Sequence, residues 1–313
     1  MFNYVIRRLL YAIPILLGVI AITFLLFNVV QTPEAAAALV LGPKATATAR
    51  QEWIRNRGLD RPKPEQFVNH VKNLVTFQFG TSWKTGRDLG EVFLQGAGPS
   101  LLITVPGFLA GLIGGVGLAL YQVLVRNSLL DRSITLLAVA LMSVPTVVYI
   151  IFLQAIGALM LNYFPASGFD WRGLSTLKFV ALPILIMGVV NLGSDVRLYR
   201  TIFMEEINQD YVRTALAKGV STGRVLGVHV FKNGLIALIT LTVASLPALI
   251  TGSLLIENFF GIPGLGNVLV LAIQTGDQPV VMASVYLGSL LYIASLILTD
   301  VAYALADPRI RLS

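Results

Sequence analysis

Long apolar runs separated by polar stretches set the first expectation for this chain. Residues 9–30, 99–125, 134–161, 177–193, 235–256 and 281–303 each read as a membrane span. Crossing a hydrocarbon core of about 30 Å takes about 20 helical residues at ~1.5 Å each. Backbone groups in lipid must be bonded within their own segment, so these runs are predicted as helices and not as open strands. Pro14, Pro106, Pro145, Pro183 and Pro247 fall inside them and predict kinks. The fourth run is short and the third carries Pro145, so these two depart most from a straight span. The first, preceded by Arg7-Arg8, exceeds the roughly 7–15 apolar residues of a secretory leader and is expected to stay as a span.

Two polar stretches carry the rest of the pattern. In the first, 31–98, a helix is predicted over 45–57 with Gly58 ending it, and a second over 65–75. The other runs from Asp195 to Lys232 between two nearly charge-free runs. Within it, Asn208 or Asp210 can cap a short helix reaching Ala217 and Lys218, which Gly219 can stop in a left-handed conformation. Ser221 or Thr222 can cap a second helix leading into the fifth span. The expected product is a compact helix–turn–helix at the membrane face. Ala215, Ala217 and Gly219 are small enough for a partner's backbone to approach, and Arg213 and Lys218 can pair with acidic groups. A solvated connector is the alternative reading of the same residues.

Composition fits a membrane protein and removes several functions. The chain is 56% hydrophobic and 12% charged, against roughly a quarter charged in soluble domains. There is no cysteine, and the two histidines, His70 and His229, fall in different segments. Disulfides and thiolate metal sites are excluded, and a shared histidine site is not expected. The net charge of +7 is explained by basic loops flanking spans, not by nucleic acid. With both termini inside, Arg126, Arg213, Lys218 and the other basic residues of the short loops gather on the cytoplasmic side, while the short external loops hold only Arg172 and Lys178. The long external stretch 31–98 carries nine basic residues, but loops beyond about 60 residues translocate largely regardless of charge. Mid-span positions offer neutral polar groups such as Thr23, Gln154, Asn191 and Thr242, which argues against ion coupling. No phosphate-binding P-loop occurs either. Active transport by this chain would therefore need a second protein to hydrolyse the nucleotide. Gly107, Gly111 and Gly115 recur every four residues in the second span and predict one flat face for helix packing, against this chain or a partner. Pro263-Gly264 reads as a tight turn or as part of an external entrance.

At Asp210-Tyr211-Val212-Arg213-Thr214-Ala215 and Ala217-Lys218-Gly219 the chain resembles the cytoplasmic coupling loop of ABC-importer permeases, in particular the dipeptide/oligopeptide class. The likeness extends to Arg7-Arg8-Leu9-Leu10, Gly58-Leu59-Asp60-Arg61-Pro62, Phe79-Gly80-Thr81-Ser82 and Pro99-Ser100-Leu101. It continues at Gly261-Ile262-Pro263-Gly264-Leu265-Gly266, Asp277-Gln278-Pro279 and Asp307-Pro308-Arg309-Ile310-Arg311. The chain departs from that class at Gln31-Thr32-Pro33-Glu34, Phe77-Gln78 and Ile236-Ala237.

The resemblance implies an all-α polytopic membrane protein of the type I ABC-importer permease fold, with six transmembrane helices and both termini cytoplasmic. It implies an N-terminal unit of one span plus external segment, 1–98, and a five-span permease core, 99–313, with its coupling loop at 194–234. The implied partners are a second homologous permease subunit, two cytoplasmic ATPase subunits or domains that bind the ATP, and an external solute-binding protein, all at the bacterial inner membrane among its lipids. The chain itself would hold no cofactor, metal or catalytic residue. The cargo would be a peptide, with nickel, glutathione or an oligosaccharide as alternatives. A secondary transporter or channel working without an ATPase, or a non-transporting scaffold, is the reading from another class.

Overall fold

The computed structural model describes residues 2–173 and 175–306. The terminal motif 307–311 lies outside the described residues. Among them there is no strand, only one isolated antiparallel bridge between Thr81 and Asp88. The helices are α1 (Phe2–Phe24), α2 (Pro33–Leu41), α3 (Ala47–Asn56), α4 (Lys63–Val75), α5 (Leu89–Leu124), α6 (Leu129–Met142) and α7 (Thr146–Gln154). They continue as α8 (Ser175–Ile207), α9 (Asp210–Ala217), α10 (Thr222–Arg224), α11 (Phe231–Thr251), α12 (Leu254–Phe260), α13 (Leu265–Thr275) and α14 (Gln278–Ala306). Wider π-helical turns extend α1 over Leu25–Val30 and α7 over Ala155–Met160, and Val225–Val230 joins α10 to α11.

Five segments are long and apolar enough to cross a bilayer: Ile6–Val30, Leu89–Leu124, Ser175–Ile207, Thr222–Pro247 and Gln278–Ala302. Two further pairs are sharply bent, Leu129–Met142 with Thr146–Met160 at 95° and Leu254–Phe260 with Leu265–Thr275 at 83°. Contacts between helices decide which bent pair crosses. Along α5, Gly107 meets Met187, Gly114 meets Leu192 and Gly115 meets Tyr199, so α5 and α8 run in the same direction. The chain between them must return across the membrane. It does so through the first bent pair, in which Asp131 bonds Arg200, Leu141 meets Gly193 and Gly157 meets Leu182. The second pair starts where α11 ends, near Thr104, whose hydroxyl donates to the Leu249 carbonyl at 2.6 Å. It finishes beside Leu89, packed with Ala272 and Val280. It therefore leaves and re-enters on one side, and six crossings remain. Even parity puts the start of α1 and the end of α14 on one side, consistent with the Arg8–Asp300 ion pair at 3.0 Å between the two helices.

The structure bears out the break expected at Pro145 and corrects two other expectations. The third span is not one rod: Pro145 lacks an N–H to continue α6 and instead opens α7 as its N-cap residue. The fourth span does not stop near 193 but runs on to Ile207. Val196, Tyr199, Phe203 and Ile207 recur at spacings of three and four and bury one stripe, which keeps the polar stretch helical as far as Ile207. The stretch 257–280 is not a loop around a turn but the re-entrant α12–α13 pair.

The face formed by Gly107, Gly111 and Gly115 is buried against α8. A Cβ at Gly107 would stand 2.8 Å from the Met187 Cβ, and one at Gly115 would stand 3.0 Å from the Tyr199 ring. Backbones approach here because no side chain intervenes.

The segment between α1 and α5 has a small core of its own. Ala36, Ala37, Trp53 and Ile54 are buried together, with Trp83 edge-on to Trp53 at 4.9 Å. Helix α2 was not expected from the sequence, yet Thr32 caps it by accepting the Ala35 N–H, and Pro33 fills the first turn. Helices α3 and α4 fall within about two residues of their predicted bounds. Asp277, at the start of α14, anchors the segment by accepting from the Ser82 hydroxyl at 2.5 Å and the Trp83 N–H at 2.9 Å.

On α4, burial pushes the His70 imidazole below its usual 6.5. Above that pH both folded and unfolded chains hold it neutral. Below it the unfolded chain takes up a proton that the folded one resists, so stability falls as the pH drops from 6.5 toward the folded value. Amide exchange across α4, corrected for intrinsic chemistry, should be faster at pH 5.5 than at pH 7.5. Equal protection at both values would show that His70 is not desolvated.

Candidate functional site

The residues singled out in the polar stretch gather on one small platform. Helix α9 lies on a socket formed by the ends of α5 and α8 and the start of α11. Val212 and Ala215 point into it and share one core with Ala119, Tyr199, Phe203, Val225 and Leu238. Burial of Ala215 at 8% exposure explains its size differently from the expectation. It lets α9 sit close to its own chain, so it is not itself part of the open face. That face carries Asp210, Arg213, Thr214, Ala217, Lys218 and Gly219, all exposed. Leu216 stands among them, 44% exposed.

The ends of α9 are set by local chemistry. Neither Asn208 nor Asp210 occupies the cap position; Gln209 does, without a side-chain bond to the helix. Asp210 instead begins the first turn, where its charge faces the positive end of the helix dipole. The pairing of Asp210 with Arg213 at 3.5 Å joins two exposed side chains and adds little stability. Tyr211 holds α9 to the end of α8 through its hydroxyl, 2.7 Å from the Glu206 carboxylate. At the other end the Val220 N–H bonds the Ala215 carbonyl and the Gly219 N–H bonds that of Leu216. Gly219 has φ +81° between them, a conformation that an L side chain strains. Ser221 then occupies the cap position of α10, again without a side-chain bond.

Below the platform is an ion pair that the sequence did not reveal. Arg200 of α8 grips Asp131 of α6 with two bonds, Nε to Oδ1 at 3.1 Å and Nη2 to Oδ2 at 2.9 Å. The Asn127 N–H and the Gln122 amide also donate to this carboxylate, which is 5% exposed. The α5–α6 corner is thereby tied to the extension of α8 that ends just before α9. A cleft of about 340 Å³ opens beside it, lined by Arg126, Asn208, Val212, Arg213 and Leu216 among others. The region offers a rigid apolar socket, an exposed cationic rim and a groove. These features suit docking and transmission of force.

Pro263 and Gly264 are at the far end of α5. Pro263 is exposed, while Gly264 is buried with no space for a Cβ beside Glu257 and the Ser100 hydroxyl. Glu257 was likewise not singled out from sequence, and it is fully buried.

Comparison with known proteins agrees over the whole length. Residues 107–312 match the family described as "Binding-protein-dependent transport system inner membrane component", and residues 1–87 match its N-terminal companion family. A putative peptide transport system permease protein of Brucella abortus (strain 2308) is 31% identical over 310 residues, 98% of each chain. The oligopeptide transport system permease protein AppB of Bacillus subtilis (strain 168) is 28% identical over 313 residues, again 98% of each. The glutathione transport system permease protein GsiC of Shigella flexneri serotype 5b (strain 8401) is 32% identical over 311 residues, 99% of each.

Proposed function

The chain belongs to the family of binding-protein-dependent transport system inner membrane components, and from that membership we propose that α9 is the handle by which an ATPase drives it. It is a multi-pass permease subunit of an ABC importer in the bacterial inner membrane. Its cargo on this reading is a short peptide, as the names of the relatives suggest for those proteins. ATP is bound by two cytoplasmic ATPase subunits or domains, a second homologous permease completes the pathway, and an external solute-binding protein delivers cargo. The N-terminal unit, 1–98, carries the external segment, and the core, 99–313, carries the coupling loop.

The observation that carries the coupling proposal is the seating of α9. Its inner face is locked into this chain by Val212 and Ala215, and its outer face is left to a partner. A push on Arg213, Leu216 or Lys218 would move α8 and α11 with it, because all three helices share one core. ATP then drives transport by binding one arrangement of the ATPases better than the other.

Leu216→Asp tests this directly. The side chain is exposed, so the variant should insert and unfold like the parent. ATP-dependent uptake in vesicles should fall at least about tenfold, since a charge in the centre of a docked face is desolvated without a partner. Normal uptake by the variant would remove α9 from the interface. Uptake that resists vanadate in the parent protein would instead favour an ATP-independent carrier.

A further inference from the structure

A groove of about 1040 Å³ runs between α1 and α14, with the first turns of α5 and part of α13 along its edge. Ser284 is the one polar side chain among the described residues that line it. Its hydroxyl already donates to the Val280 carbonyl at 2.7 Å. A polar ligand finds nothing to bond in such a wall.

Both α1 and α14 are membrane spans, so hydrocarbon is the solvent to which the groove opens. Along α14 it extends from Ser284 to Ile297, about 20 Å at ~1.5 Å per residue. That is more than one leaflet of the ~30 Å core and less than a full crossing. A partner's spanning helix needs the whole length, and a single acyl chain does not. The texture of the wall points the same way. Where two helices of this chain approach closely, they meet on bare glycine, as at Gly107 and Gly115. The groove instead presents branched side chains, with Leu9, Leu10, Ile13 and Leu94 exposed in it. Such a ribbed surface keeps a second backbone at a distance and admits a thin, flexible chain.

The two ends of the groove differ. At one, Phe77 and Phe79 meet edge to face at 5.8 Å, and Phe79 meets Phe93 at 6.0 Å. Phe77 follows α4 with φ +56°, its N–H on the Leu74 carbonyl and the next N–H on that of Asn73. Glycine ordinarily fills this helix stop, and a bulky residue there is strained. An exposed ring is nonetheless held at the groove, and backbone outliers of this kind cluster at ligand clamps. The other end, marked by Ile6 and Ile297, lies on the same side of the membrane as α9. Exposed Arg7 stands next to Ile6 there, while Arg8 is engaged by Asp300.

We propose that this groove holds one tail of an anionic phospholipid, with its headgroup at Arg7 and the tip of the tail under Phe77. Lipid tails are as apolar as leucine, so burial alone gives the groove no advantage over the surrounding bilayer. Retention comes from packing against fixed walls, and the preference for a net negative headgroup from Arg7. The site draws on no residue of α9 and is independent of the coupling role.

Native mass spectrometry of the assembled transporter tests it, after release from nanodiscs of equal dioleoyl phosphatidylglycerol and dioleoyl phosphatidylcholine. The parent should retain phosphatidylglycerol about fivefold over phosphatidylcholine. Arg7→Gln should abolish that preference while a lipid of either kind is still retained. Phe77→Gly should lower retention at least about threefold without lowering the unfolding midpoint, because glycine relieves the strained stop. Ala294→Trp, at an exposed position in the wall of α14, should displace the lipid and leave the subunits together. Leu136→Trp, exposed on α6 outside the groove, should change nothing. No retained lipid, equal retention of the two headgroups, or a lipid count indifferent to Ala294→Trp would overturn the proposal. Separation of the complex by Ala294→Trp would assign the groove to a partner's helix and overturn it as well.

Discussion

Arg200→Leu should destabilise the protein by about 3–5 kcal/mol, because it leaves the Asp131 carboxylate buried without its cation. The Asn127 and Gln122 donors would remain, but neutral donors do not replace a bidentate guanidinium. Replacing both partners, Arg200→Leu with Asp131→Leu, should restore most of that loss, since a well-packed apolar pair often matches a buried ion pair. The restored protein should still import poorly. The pair fixes where the end of α8 stands against the α5–α6 corner, and α9 follows only three residues after α8 ends. Unfolding of the purified transporter in detergent, followed together with vesicle uptake, separates the two effects. A midpoint unmoved by Arg200→Leu would show that the pair holds nothing. Full uptake by the stable double variant would show that it holds the fold but not the register of α9.

Why the sequence yielded α9 and not this ion pair is a matter of range. Helix α9 and its Gly219 terminus are local: a short helix, a left-handed stop and a second helix lie within some fifteen consecutive residues. The six spans are equally local, because lipid makes length and apolarity sufficient signals. Asp131 and Arg200 are 69 positions apart, and no periodicity joins them. Other omissions did leave a trace. The stripe Val196, Tyr199, Phe203, Ile207 marks α8 as helical to Ile207, but the charges between those residues suggested a loop. Thr32-Pro33 had the form of a capped helix start and was masked by its departure from the family pattern. The re-entrant pair was hidden for a physical reason. Two apolar helices of 7 and 11 residues around Pro263 look like a loop, because neither is long enough to span. Inward-pointing Ala215 shows the converse limit, since a small residue expected at an open face can serve the near side of its helix.

Glu257→Gln should be the second large effect, even though the side chains are nearly the same size. Glu257 Oε1 accepts from the Ser100 hydroxyl at 2.8 Å and from the Ser253 N–H at 2.9 Å, while Oε2 accepts from the Asn267 N–H at 3.1 Å. An ionised carboxylate only accepts, so the Ser100 hydroxyl donates to it, while the Ser100 oxygen accepts the Leu265 N–H at 2.8 Å. Every position around the carboxylate is thus a donor. A glutamine must set its own NH2 against one of them, and a buried donor left facing a donor costs about 1–3 kcal/mol. Relief by movement is blocked, since Gly252, Gly264 and Gly266 press against the group without room for even a Cβ. What loosens is the attachment of the α12–α13 pair to α5, on the side opposite α9. Amide exchange over residues 253–267 should rise at least about fivefold in Glu257→Gln, with α9 unchanged. Glu257→Ala, which adds a cavity to three unpaired donors, should be worse than Glu257→Gln. If glutamine were as well protected as glutamate, one of these donors must be turning away, and Glu257 would be a passenger in the re-entrant pair and not its anchor.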